Sequence, residues 1–186
     1  MTQAIDLNCL PHLADLFRHF NTGKHLNRLS DAVLWAELEQ EQEAYTTFFQ
    51  ALGYELRVDG RGFAWFHTDD KSATLSQQSR QLALLFMVIF DTQADAGKAL
   101  NRFSDWPIDR ALLTTASEHH QELLQAEGLD VDGLLALLER AGTFGFARSE
   151  AGHWQLLPAV CRYLDHFEAL AEQLTDESAV LDEDTP

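Results

Sequence analysis

The chain has 186 residues, and 13 Lys and Arg against 30 Asp and Glu give it a formal net charge of −17 at pH 7. That charge repels phosphate backbones on average, which weighs against nucleic acid as the main partner. The two cysteines, Cys9 and Cys161, lie outside any CxxC motif or Cys/His cluster, which disfavours a zinc site and favours reduced thiols. The most apolar run, Leu82–Phe90, is too short to span a bilayer, so we expect a cytoplasmic protein.

Three helices are predicted in the first fifty residues. Pro11 opens an amphipathic segment that ends before "TGKHLNR". Ser30 is the expected N-cap of the second helix. The third helix ends at Gly53, the expected C-cap, and its apolar side chains recur at i, i+3, i+4 and i+7, namely Tyr45, Phe48, Phe49 and Leu52.

A β-hairpin follows the third helix. Alternating residues lead into "DGRG" and continue after it, which predicts two antiparallel strands around a tight turn. The second strand is apolar on both faces, so we expect it to be covered on both sides. Three helices followed by a hairpin is the element order of a winged-helix domain.

A long helix is predicted from Leu75 to about Ala96, and it is apolar almost all round. Such a helix must be buried on every side, which a domain this small rarely achieves alone. We therefore predict a homodimer through the N-terminal domain. Its interface residues on this helix would be Leu82, Leu85, Phe86, Ile89 and Phe90.

The second half repeats the unit of helix, hairpin and helix. Pro107 is expected to start a helix toward Leu124, and Asp130 to cap the next, which Gly142 would end. A second hairpin turns on "SEAG", and Pro158 opens a final amphipathic helix. The fold class predicted is mainly α with small β-hairpins (α+β), as tandem winged-helix domains. We divide the chain into an N-terminal winged-helix domain, residues 1–98, a C-terminal winged-helix domain, residues 99–173, and an acidic disordered tail, residues 174–186.

No constellation of catalytic residues is apparent. The sequence has no P-loop, GxSxG or HExxH motif, and the adjacent His119 and His120 point to different sides of any helix. The glutamates of Glu37–Glu43 are evenly spread, as on a solvated face. We therefore expect an interaction protein rather than an enzyme, with no metal and no cofactor.

Sequence-specific DNA reading is disfavoured, because a recognition helix needs cationic or amide side chains at its exposed positions. The first candidate helix, "EAYTTFFQAL", has no cation, and the second has only Arg140. Weak, salt-sensitive contacts with the DNA backbone remain possible through Lys24, Arg28, Arg57 and Arg61. The alternative function is a winged-helix transcriptional regulator.

The stretch Leu29–Phe66, strongest at "LGYELRVDGRGFAWF", resembles the MksE proteins, relatives of MukE, and the element order through "LLALLERAGTFGFARSEAGHWQLLPAVCRYL" is similar to theirs. The resemblance implies a non-ATPase subunit of a bacterial condensin-like SMC complex. It further implies tandem winged-helix domains, dimerisation, binding to the kleisin subunit, and contact with the SMC ATPase through that kleisin. It also implies a place on the nucleoid, in chromosome organisation and segregation or in plasmid defence, and DNA contact within the complex.

The kleisin is expected to lie against the second hairpin, because a two-stranded ribbon leaves an open edge and an apolar face. The aromatic residues predicted to bind it are Phe144, Phe146 and Trp154, with Phe144 as the most exposed anchor.

Overall fold

The first half of the chain forms three helices and a three-stranded antiparallel sheet. The computed structural model describes residues 7–67 and 73–182, with side chains for 7–67 and 77–172. After a 3₁₀ turn, the elements follow in the order α1 (Leu13–Asn21), β1 (Leu26–Asn27), α2 (Ala32–Gln40), α3 (Gln42–Ala51), β2 (Glu55–Asp59) and β3 (Phe63–His67).

The ends of these helices follow from local hydrogen bonding. Asp31 caps α2 by accepting a bond from the Leu34 N–H at 3.0 Å, so the prediction of Ser30 as the cap was wrong by one residue. The Ser30 hydroxyl instead donates to the carbonyl of Asn27. Gly53 closes α3 as predicted: its φ is +85°, a left-handed conformation that glycine adopts without steric cost.

The first hairpin has the predicted strands and turn. Asp59 pairs with Phe63, and the turn between them contains Gly62 at φ +95°. The sequence did not predict β1, which pairs with β3 and makes β3 the central strand. Both faces of β3 are covered, as expected, because Phe63 belongs to one core and Phe66 to the other.

The second half begins with a long helix and ends with another. Its elements are α4 (Ala73–Asp95), a 3₁₀ turn (Leu100–Asp105), α5 (Arg110–His119), α6 (Gln121–Ala126), α7 (Val131–Thr143), β4 (Ala147–Glu150), β5 (His153–Leu156), a 3₁₀ turn (Pro158–Val160) and α8 (Cys161–Asp182).

Several predicted boundaries in this half shift. The helix predicted to start at Pro107 and run toward Leu124 instead starts after its cap, Asp109, and is divided into α5 and α6. Gly142 does not end α7, which runs to Thr143, and the left-handed residue that follows is Gly145 at φ +81°. α8 is described as far as Asp182, and residues 183–186 of the predicted tail lie outside the described residues.

The two halves share a strand arrangement as well as an element order. In the first half, β1 precedes α2 and pairs with β3, the second strand of the hairpin. In the second half, Ile108 precedes α5 and exchanges two backbone hydrogen bonds of 2.8 Å with Trp154 on β5, again the second strand. This correspondence makes α4 the first helix of the second unit and α1 the first helix of the first.

The two hydrophobic cores agree with that division. The N-terminal core joins α1, α2 and α3 to one face of the sheet. The larger core contains the α4 side chains together with those of α5, α7, β5 and the start of α8. The larger core also includes Phe63 of β3, and the predicted boundary at residue 98 would assign α4 to the first domain; that boundary stays a prediction.

The second hairpin turn contains a residue in an unfavourable conformation. Ala151 has φ +48° and Gly152 φ +87°, the backbone of a type I′ turn, in which Asn or Gly is preferred at the first position. We expect Ala151→Asn to stabilise the fold by about 0.5–1 kcal/mol, a rise of roughly 2–4 °C in Tm. Ala36→Asn, on the exposed face of α2, is the control and should lower Tm slightly. A lower Tm for the Ala151 variant would contradict this turn assignment.

Candidate interaction surfaces

The residues predicted to form a dimer interface are covered by their own chain. Leu82, Leu85, Phe86 and Ile89 are buried in the larger core, and Phe90 is half-buried against Phe103 and Trp106. The apolar circumference of α4 therefore needs no second copy to explain it. This burial removes the reason for assigning these side chains to an interface, and the homodimer itself stays a prediction for sedimentation analysis.

A buried polar seam joins the two units at His25. The backbone N–H of His25 donates to the carbonyl of Phe144 at 2.9 Å. Its ring contacts the same carbonyl through Nδ1 at 3.0 Å and the Arg162 guanidinium through Nε2 at 2.6 Å. Because arginine only donates, Nε2 accepts, and Nδ1 therefore carries the proton. Burial, and then the nearby Arg162 charge, lower the pKa of His25 to about 3.

Asn27 extends the seam and is fully buried. Its amide nitrogen donates to the carbonyl of Gly145 at 2.7 Å, and its amide oxygen accepts from the backbone N–H of Ala159 at 3.2 Å. A buried amide that satisfies both ends specifies one arrangement of the elements it joins. The seam therefore holds β1 of the first unit against the second hairpin and the start of α8.

An ion-pair cluster supports the same junction at the surface. Arg61, in the first hairpin turn, donates to Asp165 through both terminal nitrogens at 2.6–2.7 Å, and to Asp59 through Nε and Nη2. These hydrogen bonds lower the pKa of both carboxyl groups. Beside it, the Arg162 guanidinium lies 4.6 Å from the centre of the Trp65 ring. The first hairpin thus packs against α8.

The predicted kleisin-binding aromatic residues are mostly occupied by these contacts. Phe146 is 5% exposed and packs against His25, Phe86 and Tyr163, so it is not available as an anchor without rearrangement. Phe144 follows α7 rather than lying on a strand, and it is half-buried at the seam. Trp154 is half-buried, and a Cβ at Gly142 would lie 2.8 Å from its ring.

Three of the four predicted DNA-contacting cations already face carboxylates. Arg28 pairs with Glu39 at 2.8 Å, Arg57 with Glu55 at 2.7 Å, and Arg61 with Asp59 and Asp165. Lys24 is half-buried in the turn before β1. The structure does not gather the four into one patch free of acidic groups, and their contact with DNA stays a prediction.

The second hairpin has an open edge beside exposed apolar side chains. The Leu157 N–H bonds the Phe146 carbonyl at 2.8 Å, and strand alternation from this pair directs the N–H and C=O of Ser149 away from β5. In the part of the chain that the structure describes, no backbone group pairs with them. The Arg148 guanidinium donates to the Leu29 carbonyl at 2.7 Å, which places Leu29, 47% exposed, and the start of α2 beside β4. Val33, one turn further, is 69% exposed.

This edge and its apolar neighbours are the surface that the sequence did not predict. Leu29 precedes α2 and Val33 lies in its first turn, and only the fold brings this segment to a hairpin more than a hundred residues later. A strand edge beside exposed apolar groups suits an extended or helical peptide. Among the side chains that the structure describes, in residues 7–67 and 77–172, no cluster of three His, Cys, Asp or Glu could hold a metal ion.

The fold and these surfaces define the class of an interaction protein, with two similar units joined by a polar seam and a strand edge left open. The sequence model for the condensin complex protein MksE matches residues 11–168, and the chain belongs to this family. It is accordingly an accessory subunit of a condensin-like complex. No curated protein matches the chain in a sequence comparison. Among the helices that the structure describes, none combines the length and the apolar character of a membrane span.

Proposed function

We propose that this protein is a kleisin-binding, tandem winged-helix subunit of a bacterial condensin-like complex, which contacts the SMC ATPase through the kleisin. The observation that carries the proposal is the family match, which extends over both units, from residue 11 to residue 168. In this role the protein supports chromosome organisation and segregation or plasmid defence, in the cytoplasm and on the nucleoid. It acts as a homodimer without catalysis, metal or cofactor.

The strand arrangement supports the winged-helix assignment of both units. In each, a short strand or bridge precedes the second helix and pairs with the distal strand of the hairpin, through Leu26 and Asn27 in one and Ile108 in the other. That order of helix, strand, helices and hairpin is the one expected of a winged helix, with two helices after the strand in the first unit and three, α5, α6 and α7, after the bridge in the second. The polar seam fixes the distance between the two wings, so a partner meets them as one surface.

The kleisin site that we propose is the open edge of β4 with Leu29 and Val33. A kleisin segment adding to the edge gains main-chain hydrogen bonds from Ser149, and its apolar side chains cover the two exposed residues. Phe144 supports this surface from the seam. Its side chain is half-buried against the larger core, so its replacement would disturb packing at the seam as well as any contact with the kleisin, and Val33 is the better probe.

A winged-helix transcriptional regulator is the weaker alternative. The exposed face of α3 presents Glu43, Thr47 and Gln50, with no cation, and α7 has only Arg140. Three of the four candidate cations elsewhere are paired with carboxylates. Duplex DNA binding by the isolated subunit is therefore expected to be weak, without base preference and steeply salt-dependent.

The test is co-purification with the kleisin from the same genome, followed by titration of the purified pair. We expect Val33→Glu to weaken kleisin binding about tenfold or more, because it places a carboxylate at an apolar contact. The variant should fold normally, since Val33 is exposed and a negative charge in the first turn of α2 favours the helix.

Leu52→Glu is the matched control, because Leu52 is 52% exposed at the end of α3 and lies outside the proposed site. It should bind the kleisin like the wild type. Equal binding by the Val33 variant would remove this surface from the site. Failure of the wild-type chain to bind any kleisin would overturn the function itself.

A further inference from the structure

One face of α4 remains exposed, although most of the helix is buried. Leu85 and Ile89 are fully buried in the larger core. The opposite side is accessible to solvent, and we call it the outer face of α4. Its four side chains are spaced by four, three and four residues: Arg80, Leu84, Met87 and Asp91. Leu84 is half-buried and the other three are exposed. At about 100° per residue, the four lie within roughly 60° of one another around the helix.

The neighbouring helix α6 leaves this face accessible. Glu127, just after α6, pairs with Arg80 at 3.0 Å, and His120, just before α6, lies 3.1 Å from Asp91. The side chains of Arg80 and Asp91 nevertheless remain 66% and 58% exposed, so each has room for a second partner. Between them Met87 is 37% exposed. A second helix can therefore reach the whole length of the outer face.

The order of side chains on the outer face is complementary to itself. Along the helix the face presents a cation, two apolar groups and an anion. Arg80 and Asp91 lie equally far from the midpoint of this segment, on opposite sides, and so do Leu84 and Met87. When two copies of α4 pack antiparallel about a twofold axis, residues at equal distances on opposite sides of the midpoint face each other. Leu84 then packs on Met87 of the second copy, and Arg80 meets Asp91 of the second copy.

These charges favour a second copy of this chain, in the antiparallel orientation, as the occupant. Two chains of net charge −17 repel each other on average, so self-association needs a surface on which opposite charges meet. The outer face supplies one cation and one anion from each copy, whereas a parallel pairing in register would oppose like charges. The pairing follows from the order of these charges, not from the apolar circumference of α4, which its own chain covers.

We propose that two copies of the protein associate through the outer face of α4, antiparallel, with Leu84 and Met87 at the centre and an Arg80–Asp91 ion pair at each end. The proposal rests on the proposed function in one respect, the homodimer, and locates its interface. No residue of the β4 edge takes part. A contact between one pair of helices is small, at or below about 1,200 Å² in total, so the dimer is expected to dissociate at micromolar concentrations.

The experiment is sedimentation equilibrium of the full chain from about 1 to about 100 μM. Arg80→Glu and Asp91→Arg are each expected to raise the dimer dissociation constant about tenfold or more, because each variant opposes like charges at both ends of the helix pair. Arg18→Glu is the matched control: Arg18 is an exposed arginine on α1 that also pairs with a carboxylate, and its replacement should leave the dissociation constant unchanged.

Mixing the two variants separates a lost interface from a damaged fold. In a heterodimer of Arg80→Glu with Asp91→Arg, opposite charges meet again at both ends, so an equimolar mixture should dimerise although neither variant does so alone. The double variant, with both replacements in one chain, should dimerise like the wild type for the same reason. Both single variants should keep the far-ultraviolet circular dichroism of the wild type, since exposed ion pairs contribute little to stability.

Three results would overturn the inference: a wild-type chain that is monomeric at about 100 μM, wild-type dimerisation by Arg80→Glu, or a mixture of the two variants that stays monomeric. Co-purification with the kleisin distinguishes these from a failure of the proposed function. A monomeric wild type that binds the kleisin would overturn the interface and the homodimer but leave kleisin binding in place. A dimer with the expected charge rescue that binds no kleisin would support the interface and overturn the kleisin function.

Discussion

Gly145→Ala is expected to lower the free energy of unfolding by about 3 kcal/mol or more. A Cβ at this position would lie 2.3 Å from the carbonyl oxygen of His25, a backbone atom that cannot rotate away. The φ of +81° adds strain, since L-residues other than glycine disfavour the left-handed region. The hydrogen bond from Asn27 to the Gly145 carbonyl would also weaken, because the added Cβ pushes the two segments of the chain apart.

Gly53→Ala is the control, matched for backbone conformation. Gly53 has φ +85°, and a Cβ there would meet no atom within 4 Å, so this variant pays the strain alone, about 1–2 kcal/mol. Urea unfolding of both variants measures the difference. If both variants lose the same free energy of unfolding, Gly145 does not lie as close to the His25 carbonyl as the structure places it. The Gly145 variant should also bind the kleisin more weakly, because the seam positions β4 beside Leu29.

The helices and both hairpins could be predicted because their signals are local. Glycines after α3 and around "DGRG", and apolar residues at helical spacing, act over fewer than ten residues. Errors of one to three residues arose where two local signals compete. Ser30 and Asp31 are both good caps, and only one side chain reaches the free N–H of Leu34. Gly142 looked like a helix end, whereas its missing Cβ makes room for Trp154.

The seam and the open edge could not be predicted, because they join residues far apart in the chain. β1 has only two residues, and its role depends on β3 and on Phe144, 119 positions after His25. The intramolecular cover of α4 could not be predicted for the same reason: later elements, among them α5, α7 and the start of α8, share its core, and none is visible in its own periodicity. Likewise, Phe144 and Phe146 were predicted on the second hairpin, but Phe144 is the C-terminal cap of α7 and β4 begins only at Ala147.

The contacts of the seam both stabilise the folded chain and fix how the two units are arranged for a partner. The contacts of His25 and Asn27 join the segment that contains β1 to Phe144 and Gly145, just before the second hairpin, and to Ala159 and Arg162 at the start of α8. Each unit by itself leaves one side of its hairpin region uncovered, and the other unit covers it. The two units are therefore expected to unfold together, so a change that weakens the seam lowers the stability of the whole chain.

Acidification is expected to destabilise the protein through His25. The unfolded state binds a proton at this residue with a pKa near 6.5, whereas the folded state does so only near pH 3. Between these values the unfolded chain binds more protons, so the free energy of unfolding falls as the pH falls. The contribution of His25 is complete above about pH 6.5, and at pH 5 about 2 kcal/mol of it is lost.

His25→Gln isolates this contribution, because glutamine does not titrate. The variant should be less stable than the wild type at pH 7, where the ring's contacts with the Phe144 carbonyl and Arg162 are lost or weakened. Between pH 6.5 and pH 4 it should lose less stability than the wild type, by up to about 1.4 kcal/mol per pH unit. His119→Gln, at an exposed position on α5, is the control and should keep the wild-type slope. Urea unfolding at several pH values measures both slopes, and parallel curves for wild type and His25→Gln would show that the ring is not held neutral in the seam.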